Sequence, residues 1–292
     1  MYRKNAWKKY EDKAVIMEFN EGYKKFISEN KDERLIIKES VRQLEEHGFV
    51  NGDSLESLGD HKKVYFVNKK KTLAAFILGK KPITAGLRIL GAHVDSPRLD
   101  LKEHPIYEAN GFALADTHYY GGVKKYQWVT IPLALFGVIV KKDGTVIDVK
   151  IGEDENDPIV GITDLLIHLS ADQMSKTLAR AIEGEALDIT LGNMPLSEDE
   201  KEPVKANVLR ILKEKYGVEE EDFVSAVSKV QHIQALEQQS ANNGVIPMKA
   251  VSSSLWSEAM VAYTSLKAIP AGADNSAYAA VLATMDSSLN KH

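Results

Sequence analysis

His93 and Asp95 are the pair whose types and spacing best suit metal chemistry. They sit two apart in GAHVDSPRLD, residues 91–100, where an apolar run (Leu87, Ile89, Leu90, Ala92) ends and Pro97 follows. On a strand, residues i and i+2 point to the same face. A neutral imidazole can ligate a divalent cation, and a nearby carboxylate can hold the other ring nitrogen or the metal itself. Strand ends in α/β folds are common places for such sites. H-x-D alone is a weak pattern, and the plainer reading is a strand end with ordinary hydrogen bonds.

The remaining histidines are His47, His61, His104, His118, His168, His232 and His292. His47 stands beside a helix stop and is expected in solvent, and His61 and His104 are expected in loops. His118 lies among aromatics in DTHYYGG, and His168 is flanked by Leu165, Leu166 and Leu169. Both are expected to be partly buried and structural. The acidic runs 153–157 and 219–222 read as solvated turns. There is no G-x-S-x-G elbow, no H-E-x-x-H helix and no P-loop spacing. With no cysteine in the chain, a metal must be held by His, Asp and Glu, which suit zinc, manganese or cobalt.

The elements that position these residues follow from periodicity. Residues 11–29 and 33–47 read as helices, the second with Leu35, Ile36, Val41 and Leu44 at helical spacing and Gly48 as its stop. Residues 63–68 and 72–79 read as strands joined by a lysine turn. Residues 87–96 read as a third strand, buried on both faces. Beyond residue 97 short strands dominate, at 128–140, 145–152 and 187–192, with KDG at 142–144 as a hairpin turn. Residues 162–174 read as a helix within this β-rich stretch. A further helix over 198–215 takes Ser197 as N-cap, Glu200 as its capping-box partner and Gly217 as its stop. After Asp222 the chain becomes rich in Ser, Gln, Ala and Asn, with no internal repeat.

Bulk properties limit the function classes. The 292 residues suffice for one large domain or two ordinary ones, with a net charge of −5 spread along the sequence. Neither a nucleic-acid surface nor a basic membrane face is indicated. No apolar run approaches a membrane span, and the N-terminus lacks the apolar core of a signal peptide, so a cytoplasmic location is expected.

Longer strings carry a resemblance. GAHVDSPRLDLK (91–102), THYYGGVKKYQW (117–128), IPLALFGVIVKKDG (131–144), IGEDENDP (151–158), ITDLLIHL (162–169), GEALDITLGNMPL (184–196) and KEKYGVEEEDFVSA (213–226) occur in that order. Together they closely resemble the aspartyl aminopeptidase (aminopeptidase I) family of zinc metallopeptidases, in its bacterial form, over about residues 1–226. The resemblance implies an α/β fold: an αβα metallopeptidase-type catalytic domain, incomplete here, with an inserted β-rich dimerisation domain. The implied division is 1–97 for the first part of the catalytic domain, 98–226 for the insert and 227–292 for a diverged remnant. It also implies peptide substrates with acidic or neutral N-terminal residues, two zinc ions, and self-association into dimers and a dodecamer. His93 matches a metal-ligand histidine and Asp95 the carboxylate that orients it. His168 matches the histidine presented across the dimer to a neighbour's site.

The remaining ligands of the family lie C-terminal to the insert: a bridging aspartate, a Glu-Glu pair, another aspartate and a late histidine. Here similarity returns after Ala226 only at AYTSLKAI (262–269), which registers Ser257 at the bridging aspartate with Glu258 beside it as a candidate replacement ligand. No aspartate lies between Asp222 and Asp274, and no Glu-Glu pair follows Glu221. A hydrolytic zinc site generally needs three protein ligands. Three readings stay open: a metalloaminopeptidase completed by unrecognised ligands or a partner chain, a non-catalytic assembly protein, and a fragment that leaves sheet edges and apolar surface exposed.

Overall fold

The computed structural model describes residues 5–141, 144–197, 200–223, 228–232 and 278–284. In chain order the elements are α1 (Ala6–Lys9), α2 (Lys13–Glu29), α3 (Glu33–Glu46), β1 (Val50–Asn51), β2 (Lys63–Asn68), β3 (Thr72–Ile77) and β4 (Leu87–His93). There follow β5 (Arg98–Ala109), β6 (Phe112–Tyr120), β7 (Pro132–Val140), β8 (Val146–Ile151), β9 (Val160–Gly161), α4 (Ala171–Ser175), α5 (Leu178–Ala181) and β10 (Ile189–Gly192). Helix α6 (Pro203–Tyr216), β11 (Ser228–His232) and β12 (Tyr278–Thr284) complete the set, with short 3-10 turns between. The architecture is mixed α/β, in two units. One runs to Ser96 and takes in β12; the other begins at Pro97 and takes in β11.

In the first unit the helix starts are set by aspartates. The Asp12 carboxylate accepts the Ala14 N–H and the Asp32 carboxylate accepts the Leu35 N–H, both at 2.8 Å, which answers donors that a helix start leaves over. The sheet order is β1-β2-β3-β12-β4, with β12 antiparallel to β3 and parallel to β4. Strand β3 alternates, burying Leu73, Ala75 and Ile77. That face, with Tyr65, packs against Tyr23, Phe26, Ile37 and Leu44 of α2 and α3. Pairing carries the same row across β12 to Leu90 and Ala92 of β4. The opposite face holds Phe66 and Phe76, edge to face at 6.1 Å, and continues to Ile89, which shares the row of Phe76.

Strand β4 is not buried on both faces as expected. Ile89 is 59% and Leu87 45% exposed on one face, and Leu90 is 40% exposed on the other. Among the described residues β4 has one neighbouring strand, and the α2–α3 core takes in only Ala92 of it. An unbroken apolar run is the mark of a doubly covered strand, and cover for residues 87–90 is not found among the described residues.

The second unit is all antiparallel. Its order is β11-β5-β6-β10-β9-β7-β8, and β11 also pairs with β7. The strands β5, β6, β10, β9, β7 and β11 therefore form a hydrogen-bonded ring, a closed barrel from which the β7–β8 hairpin projects. Closure removes unpaired sheet edges. Leu99, Leu101, Ala115, Trp128, Leu133, Leu187 and Ile189 fill the core. Strands β7 and β8 pair as the hairpin expected around 142–144 requires, with Gly144 at φ 85°, a conformation easy for glycine; residues 142–143 lie outside the described residues.

Other expectations here need correction. Residues 162–174 are not one helix: a 3-10 turn at Ile167–Leu169 precedes the short α4. His104 lies not in a loop but inside β5, at φ 45° where the β5–β6 register shifts. Helix α6 starts at Pro203 without a side-chain cap from the residue before it, so the capping box from Ser197 and Glu200 is not used. Instead the Glu108 carboxylate of β5 accepts the N–H groups of Val204 and Lys205 at 2.8 and 3.0 Å. Gly217 does close the helix, in the left-handed conformation.

Candidate metal centre

His93 is the last residue of β4, at the carboxyl end where β12 runs parallel beside it with Thr284 in register. In open α/β sheets ligands collect outside the carboxyl ends of strands. The strand stops at His93, yet Asp95 returns to the same side. Its Oδ1 lies 2.7 Å from His93 Nδ1. Val94 between them is buried against the α2–α3 core and anchors the turn.

An ionised carboxylate only accepts, so in this contact Nδ1 is the donor. A neutral imidazole that donates from Nδ1 to a carboxylate carries its lone pair on Nε2, the arrangement of a metal-binding imidazole fixed by a carboxylate behind it. The His93 side chain is 33% and that of Asp95 15% exposed, so the carboxylate is tucked behind a ring that solvent can reach.

The described donors do not amount to a zinc site. Among the described residues, no group of three His, Cys, Asp or Glu side chains is placed to hold a metal. His93 and Asp95 are brought together, but His168 belongs to the second unit, on the 3-10 turn at Ile167–Leu169. It is exposed rather than partly buried, because Leu165, Leu166, Ile167 and Leu169 around it also face solvent. Glu258 lies outside the described residues. One imidazole with its orienting carboxylate is half of a carboxylate–histidine–metal arrangement and short of the three ligands of a hydrolytic site.

A second polar group in the barrel unit was not legible in the sequence. His118, expected to be packed among aromatics, is exposed; its Nδ1 meets Glu185 Oε1 at 2.8 Å and its ring stacks on Tyr119 at 5.1 Å. Lys102 Nζ bridges Asp116 at 2.8 Å and Glu185 at 2.9 Å. Lys102, and then His118, hold the Glu185 carboxyl below the usual range. The outward alternation along β5 and β6 is the local signal, but Glu185 arrives from far along the chain. At the start of β5 the Arg98 guanidinium lies 3.7 Å from the Tyr120 ring centre, and its Nε donates to Asp100 at 2.7 Å.

Comparison with known proteins gives the ancestry. Residues 26–287 match the family model described as aminopeptidase I zinc metalloprotease (M18), which carries the resemblance beyond the point near residue 226 where the quoted strings stop. The probable M18 family aminopeptidase 1 of Clostridium acetobutylicum is 50% identical over 230 residues, 76% of this chain and 50% of that protein. The M18 aminopeptidase structure from Thermotoga maritima superposes with a TM-score of 0.83 at 38% identity, over 97% of this chain and 60% of that one. The aminopeptidase I structure from Clostridium acetobutylicum gives 0.79 at 38% identity, over 97% and 63%. The chain spans about half the length of the curated relatives it matches. No helix among the described residues is long and apolar enough to cross a membrane. By sequence and by fold, the chain belongs to the aminopeptidase I zinc metalloprotease (M18) family.

Proposed function

We propose that this chain carries the first metal-ligand strand of an M18 aminopeptidase, and that its 292 residues alone do not complete a hydrolytic site. The observation that supports this is the 2.7 Å contact between His93 Nδ1 and Asp95 Oδ1 at the end of β4, with no third donor beside it among the described residues. His93 Nε2 is the proposed ligand atom and Asp95 its positioning residue. Zinc is the metal the family's description supports, with manganese and cobalt as alternatives of similar ligand preference; two ions and a preference for acidic or neutral N-terminal residues belong to the same reading. Glu258 is the further donor it would recruit. Because the described donors fall short, no hydrolytic step is assigned to them.

The second unit is the proposed assembly domain. The S. cerevesiae mApe1 structure, similar in fold at 18% identity, is described as a dodecamer. In this chain the exposed run Leu165, Leu166, Ile167 and Leu169 supports self-association, since contiguous exposed apolar surface commonly marks an interface. His168 lies within that run and is the proposed residue presented to a neighbouring copy. A non-catalytic assembly protein is the second reading, and this surface is the observation that favours it.

One purified sample decides between activity and its absence. Metal content and turnover of Glu- and Asp-anilides are measured together, with and without a chelator. The expected result is zinc below one ion per chain and no chelator-sensitive turnover. Turnover that a chelator abolishes would overturn the incomplete-site reading.

A further inference from the structure

We infer that the outer edge of β8 is a contact surface for a second copy of this chain, paired antiparallel about a two-fold axis at Val149. In the barrel unit the sheet order ends on β8, the outer strand of the β7–β8 hairpin. The residues of that unit outside the described set come in pieces of four or fewer, 142–143, 198–199, 224–227 and 233–234, against six residues in β8. Backbone direction fixes which groups the edge offers. The Lys141 N–H donates to Thr145 O at 2.9 Å, and along an antiparallel ladder hydrogen-bonded pairs alternate with unbonded ones. Ile147, Val149 and Ile151 therefore direct their amides and carbonyls at Ile139, Gly137 and Leu135 of β7. Those of Val146, Asp148 and Lys150 point away from β7, where a further strand can pair with them.

Charge selects the occupant and the register. Asp148 and Lys150 are both exposed, two apart on one side of the strand. Setting Asp148 against a copy's Asp148, or Lys150 against its Lys150, puts like charges opposite each other, which destabilises a strand pair. Setting Asp148 against the copy's Lys150 puts opposite charges together, and the two-fold axis makes that match twice. The same register sets Val149 against Val149 and Ile147 against Ile151. These lie on the other side of β8, where Val149 packs with Ile139 and Val218 and where Ile147 and Ile151 are only partly buried. Edge strands are commonly guarded by charge, above all lysine; here the two signs are spaced so that a copy of the strand matches them. Lys150 also meets Glu153 at 3.2 Å, but half its side chain is exposed, and such a pair holds weakly enough to be exchanged. This contact does not involve the apolar run at 165–169 and does not rest on it.

The test uses the full chain carrying Leu166→Asp and Ile167→Asp, so that the apolar run takes no part. The chain has no cysteine, so Val149→Cys adds a single thiol. In the proposed register it faces its own copy in an unbonded pair, with Cα atoms about 4.5 Å apart, within reach of a disulfide. Mild oxidation is expected to trap a disulfide dimer on a non-reducing gel, even where the free contact is weak. Ile147→Cys, which faces Ile151 rather than itself, is expected to trap about tenfold less. Adding Asp148→Lys or Lys150→Asp alone to the Val149→Cys chain should lower the yield by about tenfold. Mixing these two singly reversed chains, one lengthened by a tag, should restore it as the mixed dimer. No dimer from Val149→Cys, an equal yield from Ile147→Cys, a yield indifferent to both reversals, or a mixture no better than its components each overturns the inference. If Val149→Cys changes the circular dichroism, amide exchange at Val146, Asp148 and Lys150 in the cysteine-free chain is the readout. It should slow as concentration rises, and exchange independent of concentration overturns the inference.

Discussion

Removing Glu108 should loosen α6, even though it stands on a strand far from that helix in sequence. The first turn of a helix leaves backbone N–H groups without partners inside it. In α6, Pro203 at the first position has none to satisfy. The Val204 and Lys205 N–H groups go to Glu108 Oε2 at 2.8 and 3.0 Å, and Ala206 N–H goes to Glu202 O at 2.9 Å. Glu108 is therefore the whole side-chain cap. A lost cap typically costs about 1 kcal/mol. Val204 is buried, so water replaces the lost acceptor poorly there, and an unsatisfied buried donor adds about 1–3 kcal/mol. Lys205 is partly accessible and can turn to water. Glu108→Ala should thus cost about 2 kcal/mol. Glu108→Gln keeps an acceptor and loses only the charge at the positive helix end, a cost of about 0.5–1 kcal/mol. Ser197→Ala should cost nothing measurable. Urea unfolding gives the ranking, and hydrogen exchange at the Val204 and Lys205 amides gives the location. If those amides keep full protection in Glu108→Ala, or if Ser197→Ala is as destabilising, the capping account is wrong.

Three further outcomes are expected. Lys69 and Lys70 form the β2–β3 turn at φ 51° and 56°, where side chains are strained and Asn-Gly is favoured, so Lys69→Asn with Lys70→Gly should stabilise the chain by about 1 kcal/mol in urea melts, and an unchanged midpoint refutes the strain. Asp157 is held below the ordinary carboxylate range, first by the Gly152 N–H, against an opposing effect of burial; its stabilisation is full above an unfolded value near about 3.9 and is lost as pH falls through the lower folded value. Asp157→Asn should flatten that acid limb in melts between about pH 5 and 2, whereas an acid limb as steep as the wild type's removes Asp157 as its source. Leu166→Asp with Ile167→Asp should shift any dimer toward monomer by sedimentation without changing circular dichroism; unchanged mass would separate the exposed apolar run from assembly.

The legible parts of the fold are those whose signal is local. The alternation of Leu73, Ala75 and Ile77 marks β3, and the spacing of Leu35, Ile36, Val41 and Leu44 marks α3. Gly144 and Gly217 mark a hairpin and a helix stop by conformations that glycine adopts easily. What failed depends on distant or absent partners. The cap of α6 comes from a strand 96 residues away from Val204. The leucines around His168 look helical only if a core receives them, and in this chain they face solvent. Strand β5 is masked in the sequence by His104 and Pro105, where the register shifts. Of the candidate site, His93 and Asp95 could be paired from their spacing, because i and i+2 share a side. A full ligand set could not be read from a half-length match.

The barrel's pairing has a consequence for how such a chain can be built. Its first strand, β5, and its last, β11, lie side by side, with Leu99 opposite Val230 and Asp100 opposite Lys229. The module is thus entered and left at one doorway. Between β4 and β12, which pair in parallel, a folded barrel counts as less chain to close than the same residues unfolded. Each halving of a loop's effective length saves only about 0.6 kcal/mol, but the saving arrives before the two strands must meet. A natural order of assembly follows, barrel first and β12 onto β4 afterwards. So does a practical freedom: the module can be excised at its doorway, or exchanged for another closed one, and the pairing of β4 with β12 is not thereby rewritten.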